Sequence, residues 1–144
     1  MRNIQIYILK VIQFKPIKAK QRPFITIRII EDNIKLLDKY RAVDTVISAT
    51  DTIVHSKNKE FISNIPDREY MFQGQTPQSF RCGDYIKLYE NLDKNILVKL
   101  TDAARIFVDS GIKVGLVEGS QFNIKITSDF DLLVASTLLG KQND

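Results

Sequence analysis

From Phe24 to Gly140 the apolar residues change period several times, from the three-to-four spacing of a helix to the runs of a strand and back. "FITIRIIEDNIKLLDKY" (24–40) sets Ile25, Ile29, Leu36 and Leu37, with Ile30 and Ile34, near helical spacing behind Pro23, and puts Lys and Asp on the other face. This predicts one amphipathic helix. "AVDTVIS" is short and β-branched, which predicts a buried strand. "DTIVHS" and "EFISNI" flank the polar "KNKE", a connection of hairpin length, and "REYMFQGQ" adds a third extended piece. Weak alternation and polar connections predict a protruding β arm over about residues 51–75 rather than a packed layer.

From Ser79 the pattern reads as helix, strand and helix. "SFRCGDYIKLYENL" places Phe80, Tyr85, Leu88 and Leu92 roughly on one face, with Gly83 weakening its first turn. "TDAARIFVDSG" carries Thr101 as the expected N-cap and Gly111 as the expected C′ residue. "IKVGLVEG" and "NIKIT" read as strands, and "SDFDLLVASTLLG" as a last helix capped by Ser128 and closed at Gly140. Alternating strands and helices predict an α/β fold, a mainly parallel sheet covered by helices on both faces.

A chain of 144 residues with 44% hydrophobic content has material for one core, so one domain is expected. Its apolar runs stop short of the ~18 residues that a membrane span needs. "IQIYILKVIQF" is broken by Gln5, Lys10 and Gln13, and no small-residue cleavage site follows it. A soluble, cytoplasmic protein is the expectation, and the lone Cys82 fits a reducing compartment. The net charge of +4 sits at one end: residues 1–22 hold six basic side chains and no acidic one, which leaves the remainder mildly acidic. Aromatic residues are not interleaved with these cations, so a nucleic-acid partner is not expected.

His55 is the only histidine, which excludes a histidine triad and a multi-histidine metal site. Beside a polar hairpin it reads as a solvated arm residue, and Cys82 reads as a buried one. What remains is a set suited to phosphate: Arg68, Thr76, Lys125 and Thr127, supported by Asn123 and Gln75. Cations clamp phosphate oxygens and hydroxyls bond to sugar or phosphate. Proline at 77 restricts Thr76 to extended backbone, which would aim its hydroxyl.

"QTPQSF", "TDAARIFVDSGIKVGLVEGSQFNIKIT" and "DFDLLVA" together resemble the C-terminal half of the cytidylyltransferases that make CDP-alcohols from CTP. The likeness runs from about Arg22 to Leu139, and "SNIPDREYMFQGQTPQ" is closer to the ribitol-5-phosphate branch than to the methylerythritol 4-phosphate branch of isoprenoid synthesis. The resemblance implies a Rossmann-like nucleotidyltransferase sheet and a β arm exchanged across a homodimer. It implies catalytic roles for Lys125 and Arg68 on the alcohol phosphate, Arg68 reaching it in the other subunit. Thr76, Asp51, Thr52, Asn123, Thr127 and Arg22 would bind the sugar-alcohol phosphate, and Mg²⁺ is expected in the intact family.

Two departures qualify that expectation. The family's glycine-rich loop around the CTP phosphates has no counterpart, since the first glycine is Gly74 and close backbone approach to phosphate needs glycine. Aligning on Arg22 and Pro23 puts Lys18, Ala19 and Lys20 where the family has His-Asp-Ala, so its metal-placing aspartate is missing and no metal ligand is assigned. Residues 1–21 read as a basic leader foreign to the family, and residues 22–144 as the C-terminal part of a cytidylyltransferase domain. CTP binding is in question, and the chain is expected to be a truncated form with little or no activity alone. A non-catalytic dimerisation module is the alternative. In the truncated form the leader's "IQIYILKVI" is expected to supply one strand in place of the lost one before Arg22, at the sheet edge.

Overall fold

A computed structural model describes residues 21–93, 100 and 102–140. Helix α1 (Ile27–Leu36) leads into strand β1 (Ala42–Ser48). An exposed excursion then ends in a 3₁₀ turn (Arg68–Tyr70) and enters strand β2 (Phe72–Phe80). Helices α2 (Cys82–Glu90) and α3 (Ala104–Asp109), strand β3 (Val114–Glu118) and helix α4 (Asp129–Gly140) follow.

The three described strands form one sheet in the order β2-β1-β3. β1 and β3 run parallel, with Ala42 opposite Val114 and Val46 opposite Glu118. β1 and β2 run antiparallel, from Ala42 opposite Phe80 to Ser48 opposite Phe72. The expected mainly parallel sheet is thus mixed among the described residues. The excursion after β1 brings the chain straight back beside the strand it left, and a return of that kind can only pair antiparallel.

The register slips between Asp44 and Val46, which face Gln78 and Gly74. Gln75, Thr76 and Pro77 therefore bow out opposite Thr45. Proline has no N–H to give a ladder, so a bulge is where a strand accommodates it. The expected helix start at Ser79 is corrected accordingly: the strand runs on to Phe80 and the helix begins at Cys82.

α1 is shorter than its periodic pattern. Thr26 has extended backbone and accepts from the Ile29 N–H at 3.4 Å, so the helix starts at this cap rather than behind Pro23. One face of the sheet receives α1 through Leu37, Val43 and Val117. Beside them lies a buried polar relay. Asn33 Nδ2 donates to Ile29 O and Thr45 Oγ1, both at 2.8 Å, while Ser79 Oγ donates to Asn33 Oδ1 at 3.1 Å. Thr45 Oγ1 in turn donates to Pro77 O at 2.7 Å. Gly115 permits the close seat of the segment after α1, since a Cβ there would stand 2.6 Å from Tyr40 Cδ2.

The other face packs Ala42, Phe80, Tyr85, Ala104, Ile106 and Phe107 into one cluster, with Phe80 and Phe107 stacked at 5.1 Å between centroids. Gly111 has φ +71 and ends α3 as expected, with its N–H on Val108 O and the Ile112 N–H on Phe107 O. The expected cap Thr101 lies outside the described residues; Asp102 Oδ1 accepts from the Ala104 N–H at 2.8 Å. Ser128 does cap α4, accepting from the Asp131 N–H at 3.3 Å while Asp131 Oδ2 accepts from the Ser128 N–H at 2.8 Å.

"NIKIT" is not a strand. Its Ile126 N–H bonds to Gln21 O at 2.7 Å instead of to the sheet. The arm is looser than a ladder of strands as well. A single antiparallel bridge, His55 to Asn64, closes it, and its strand-like end from Phe72 onward belongs to β2.

Candidate functional site

β1 and β3 are parallel, so the loops after both leave the same edge of the sheet. In open α/β sheets ligands sit beyond the carboxyl ends of such strands. The loop after β3 carries Asn123, Lys125 and Thr127, and the excursion after β1 carries Asp51, Thr52 and Arg68. Arg22 and Thr76 reach this edge through Asn123.

Asn123 is the hub of the first group. It is fully buried, and its Nδ2 donates to Thr76 O at 2.9 Å and to Gln75 Oε1 at 3.2 Å. Its backbone carbonyl accepts from Arg22 Nη1. Half-buried Arg22 has its pKa lowered by desolvation, the expected effect of placing a cation against the protein. Asn123 Oδ1 is buried and without a partner among the described residues. Two residues on, Lys125 is exposed beyond this anchored turn, and Thr76 is exposed on the bowed part of β2.

Thr127 is engaged within the chain. Its N–H and Oγ1 both bond to Asp131 Oδ2, at 2.9 and 3.0 Å, so this hydroxyl braces the start of α4. These bonds, together with those of Ser128, hold the Asp131 carboxyl down to about 2. In the second group, Arg68 Nη1 donates to Thr50 O at 2.9 Å across the base of the arm, beside exposed Asp51 and Thr52. No described contact within this chain joins Arg68 to Lys125.

One titratable group escaped the sequence reading. Asp44 stands in the middle of β1 beneath α3, near Gln78 and Asp102, and Gln78 Nε2 donates to Asp102 Oδ1 at 2.7 Å. Burial first, and the Asp102 charge second, push Asp44 up to about 6. It borders an open hollow with Ala104, Val108, Ile112, Val114 and Leu116. A carboxylate inside the apolar run "AVDTVIS" was the available signal. Among the described residues no group of three or more His, Cys, Asp or Glu side chains stands together as a metal cluster. Lys18, Ala19 and Lys20 lie outside the described residues.

A mixed sheet covered by helices is an α/β domain, and its likeness to solved structures gives the class, nucleotidyltransferase-like. The 4-diphosphocytidyl-2C-methyl-D-erythritol synthase of Anaerococcus prevotii superposes with a TM-score of 0.73 at 31% identity, over 83% of this chain and 55% of that one. The 2-C-methyl-D-erythritol 4-phosphate cytidylyltransferase of Francisella tularensis does so with a TM-score of 0.69 at 30% identity, over 80% and 54%.

Residues 12–141 match the family described as IspD, 2-C-methyl-D-erythritol 4-phosphate cytidylyltransferase, and the chain belongs to that family. Ribitol-5-phosphate cytidylyltransferases of Streptococcus pneumoniae strains Hungary19A-6 and G54 are each 50% identical to it over 120 residues, 83% of this chain and 51% of theirs. The chain thus spans about half the length of the curated relatives it matches. No described helix is long and apolar enough to cross a membrane.

Proposed function

We propose that this chain carries the acceptor-phosphate half of a cytidylyltransferase site, with ribitol 5-phosphate as the acceptor. In the complete reaction a phosphate oxygen of the acceptor attacks the α-phosphorus of CTP. The bond to the β-phosphate breaks, giving CDP-ribitol and pyrophosphate. The observation that carries the reading is the buried Asn123 bond to Thr76 O, which ties the Lys125 loop to the Thr76 strand. Lys125 supplies a cation for the phosphate and Thr76 a hydroxyl, while Arg22 steadies the turn through the Asn123 carbonyl. Asp51 and Thr52 flank the acceptor, and Arg68 reaches the phosphate of a second subunit through the arm. Catalysis by such groups is positioning and charge stabilisation, without a covalent intermediate.

The ribitol branch is favoured over methylerythritol by the 50% identity to the pneumococcal enzymes, against 31% to the Anaerococcus structure. The nucleotide side is a different matter. Residues 1–73 contain no glycine to wrap the CTP phosphates, and removing even one oxyanion donor elsewhere costs about 10²–10³ in rate. The chain therefore acts as the acceptor part of the domain, in a cytoplasmic setting, and by itself is expected to turn over little substrate.

Pyrophosphate release from CTP and Mg²⁺ tests this, with ribitol 5-phosphate and methylerythritol 4-phosphate offered separately beside a pneumococcal enzyme. Little or no release from either is expected. Release at the control's rate would contradict the missing CTP half, and a preference for methylerythritol 4-phosphate would overturn the assigned acceptor.

A second reading, a non-catalytic dimerisation module, is favoured by the arm. Val54, Phe61, Ile62 and Ile65 are all more than half exposed, an apolar surface suited to a second copy. A dimer by light scattering that falls apart on Phe61→Asp supports it; a strict monomer contradicts both this reading and the shared site.

A further inference from the structure

Gln75 lies in the bowed part of β2 and is only 6% exposed, an uncommon place for a glutamine. Both ends of its amide are used. Nε2 donates to Ser120 O at 2.9 Å, while Oε1 accepts from the Ser120 N–H at 3.3 Å and from Asn123 Nδ2 at 3.2 Å. Every one of these bonds runs to the loop after β3. Gly119, where that loop begins, is pressed against the same amide, because a Cβ there would collide with Gln75 Oε1 and stand 3.1 Å from Thr45 Cγ2. The Gly119 N–H donates to Val46 O at 2.8 Å, and its carbonyl accepts from Arg28 Nη2 at 3.3 Å.

We propose that Gln75 is the positioning residue of the acceptor site, setting where the Lys125 loop stands relative to Thr76. The proposal rests on the acceptor-phosphate reading above. Gln75 is adjacent to Thr76 in the chain and bonds to Ser120 and Asn123, the latter two residues before Lys125. It thereby fixes two expected ligand contacts from different elements against each other. It touches no ligand itself; it acts through the loop. Without it the loop would be ordered only on binding, which weakens affinity for any ligand that needs both contacts. A ligand needing one contact is spared.

The test titrates ribitol 5-phosphate and inorganic phosphate into the whole chain and its variants, with thermal unfolding as a check on folding. Gln75→Ala is expected to weaken ribitol 5-phosphate by about tenfold, the equivalent of one lost hydrogen bond. Inorganic phosphate, small enough to sit on Lys125 alone, should lose less, a selectivity that general loosening would not produce. Gly119→Ala should reproduce the loss by displacing the Gln75 amide. Added to Gln75→Ala it should cost little more, because the atom it strikes has gone. If Gln75→Ala does not fold, Gln75→Glu keeps the size and the acceptor but lacks the donor to Ser120 O, and the same selective loss is expected. A wild-type chain that binds ribitol 5-phosphate and a folded Gln75 variant that binds it equally well, or that loses both ligands alike, would overturn the proposal. A wild-type chain that takes up no ribitol 5-phosphate overturns the proposed function first, and the positioning role with it.

Discussion

Against the sheet, Asn33 of α1 is enclosed and spends its amide on three partners from three elements, Ile29 of α1, Thr45 of β1 and Ser79 of β2. In the arm, His55 makes bonds of the same kind, to Ser63 and Asn64, but in full view of solvent. The lengths are alike, 2.8 Å for Asn33 to Thr45 and 2.9 Å for His55 to Ser63, yet the consequences differ. A buried group left unpaired costs its whole desolvation, whereas an exposed one takes water instead. The sheet and the loop after β3 are thus held by long-range bonds, and the arm by local ones. Its tip follows suit: Asn58 Oδ1 accepts from the Glu60 and Phe61 N–H groups just ahead, beside Lys59 at φ 64.

The largest expected contrast is between two phenylalanines. Phe107→Ala, at a fully buried position, should lower unfolding stability by about 3–5 kcal/mol, whereas Phe61→Ala on the arm should stay within about 0.5 kcal/mol in the monomer. Urea midpoints compare them directly, and equal losses would erase the distinction. Next comes Asn33→Ala, expected to cost about 2–3 kcal/mol because Thr45 and Ser79 lose a buried partner, against a negligible effect for Ser63→Ala.

How far these regions were legible in the sequence follows the same division. β1 was read to its ends because its β-branched run is buried on both faces. Ser128 and Gly111 were legible because caps are local chemistry. "NIKIT" alternates like a strand, and nothing local says that Ile126 bonds to Gln21 rather than to a neighbour in the sheet. Thr76, Asn123 and Lys125 could be picked out by type. What could not be read was that Thr127 spends its hydroxyl on Asp131, or that Gly119 must be small for Gln75. Those are contacts between distant parts of the chain.

A pH titration of stability gives a smaller effect that also separates buried from exposed groups. The folded-state pKa of Asp44 is raised from 3.8 to about 6, so protonation favours the fold. Its contribution is full below about pH 3.8 and is lost as pH rises through about 6, with Asp102 and Gln78 as the facing groups. Asp44→Asn should flatten that fall. Asp131, lowered from 3.8 to about 2, works in the opposite sense: its support of α4 is present above 3.8 and is lost as pH falls towards 2. Asp131→Asn should remove only the acid-side loss. Thr26→Ala comes last, at about 0.5–1 kcal/mol for an exposed cap with a long bond, measured by the same urea midpoints.

The central claim is that the anchored loop and the bowed strand form one acceptor site. Backbone amide shifts on adding ribitol 5-phosphate test it most directly. Perturbations gathered at Thr76 and from Asn123 to Thr127, abolished by Lys125→Ala and absent with ribitol alone, are the predicted result. Shifts that instead gather around Asp44 and α3, or that survive Lys125→Ala unchanged, would contradict it.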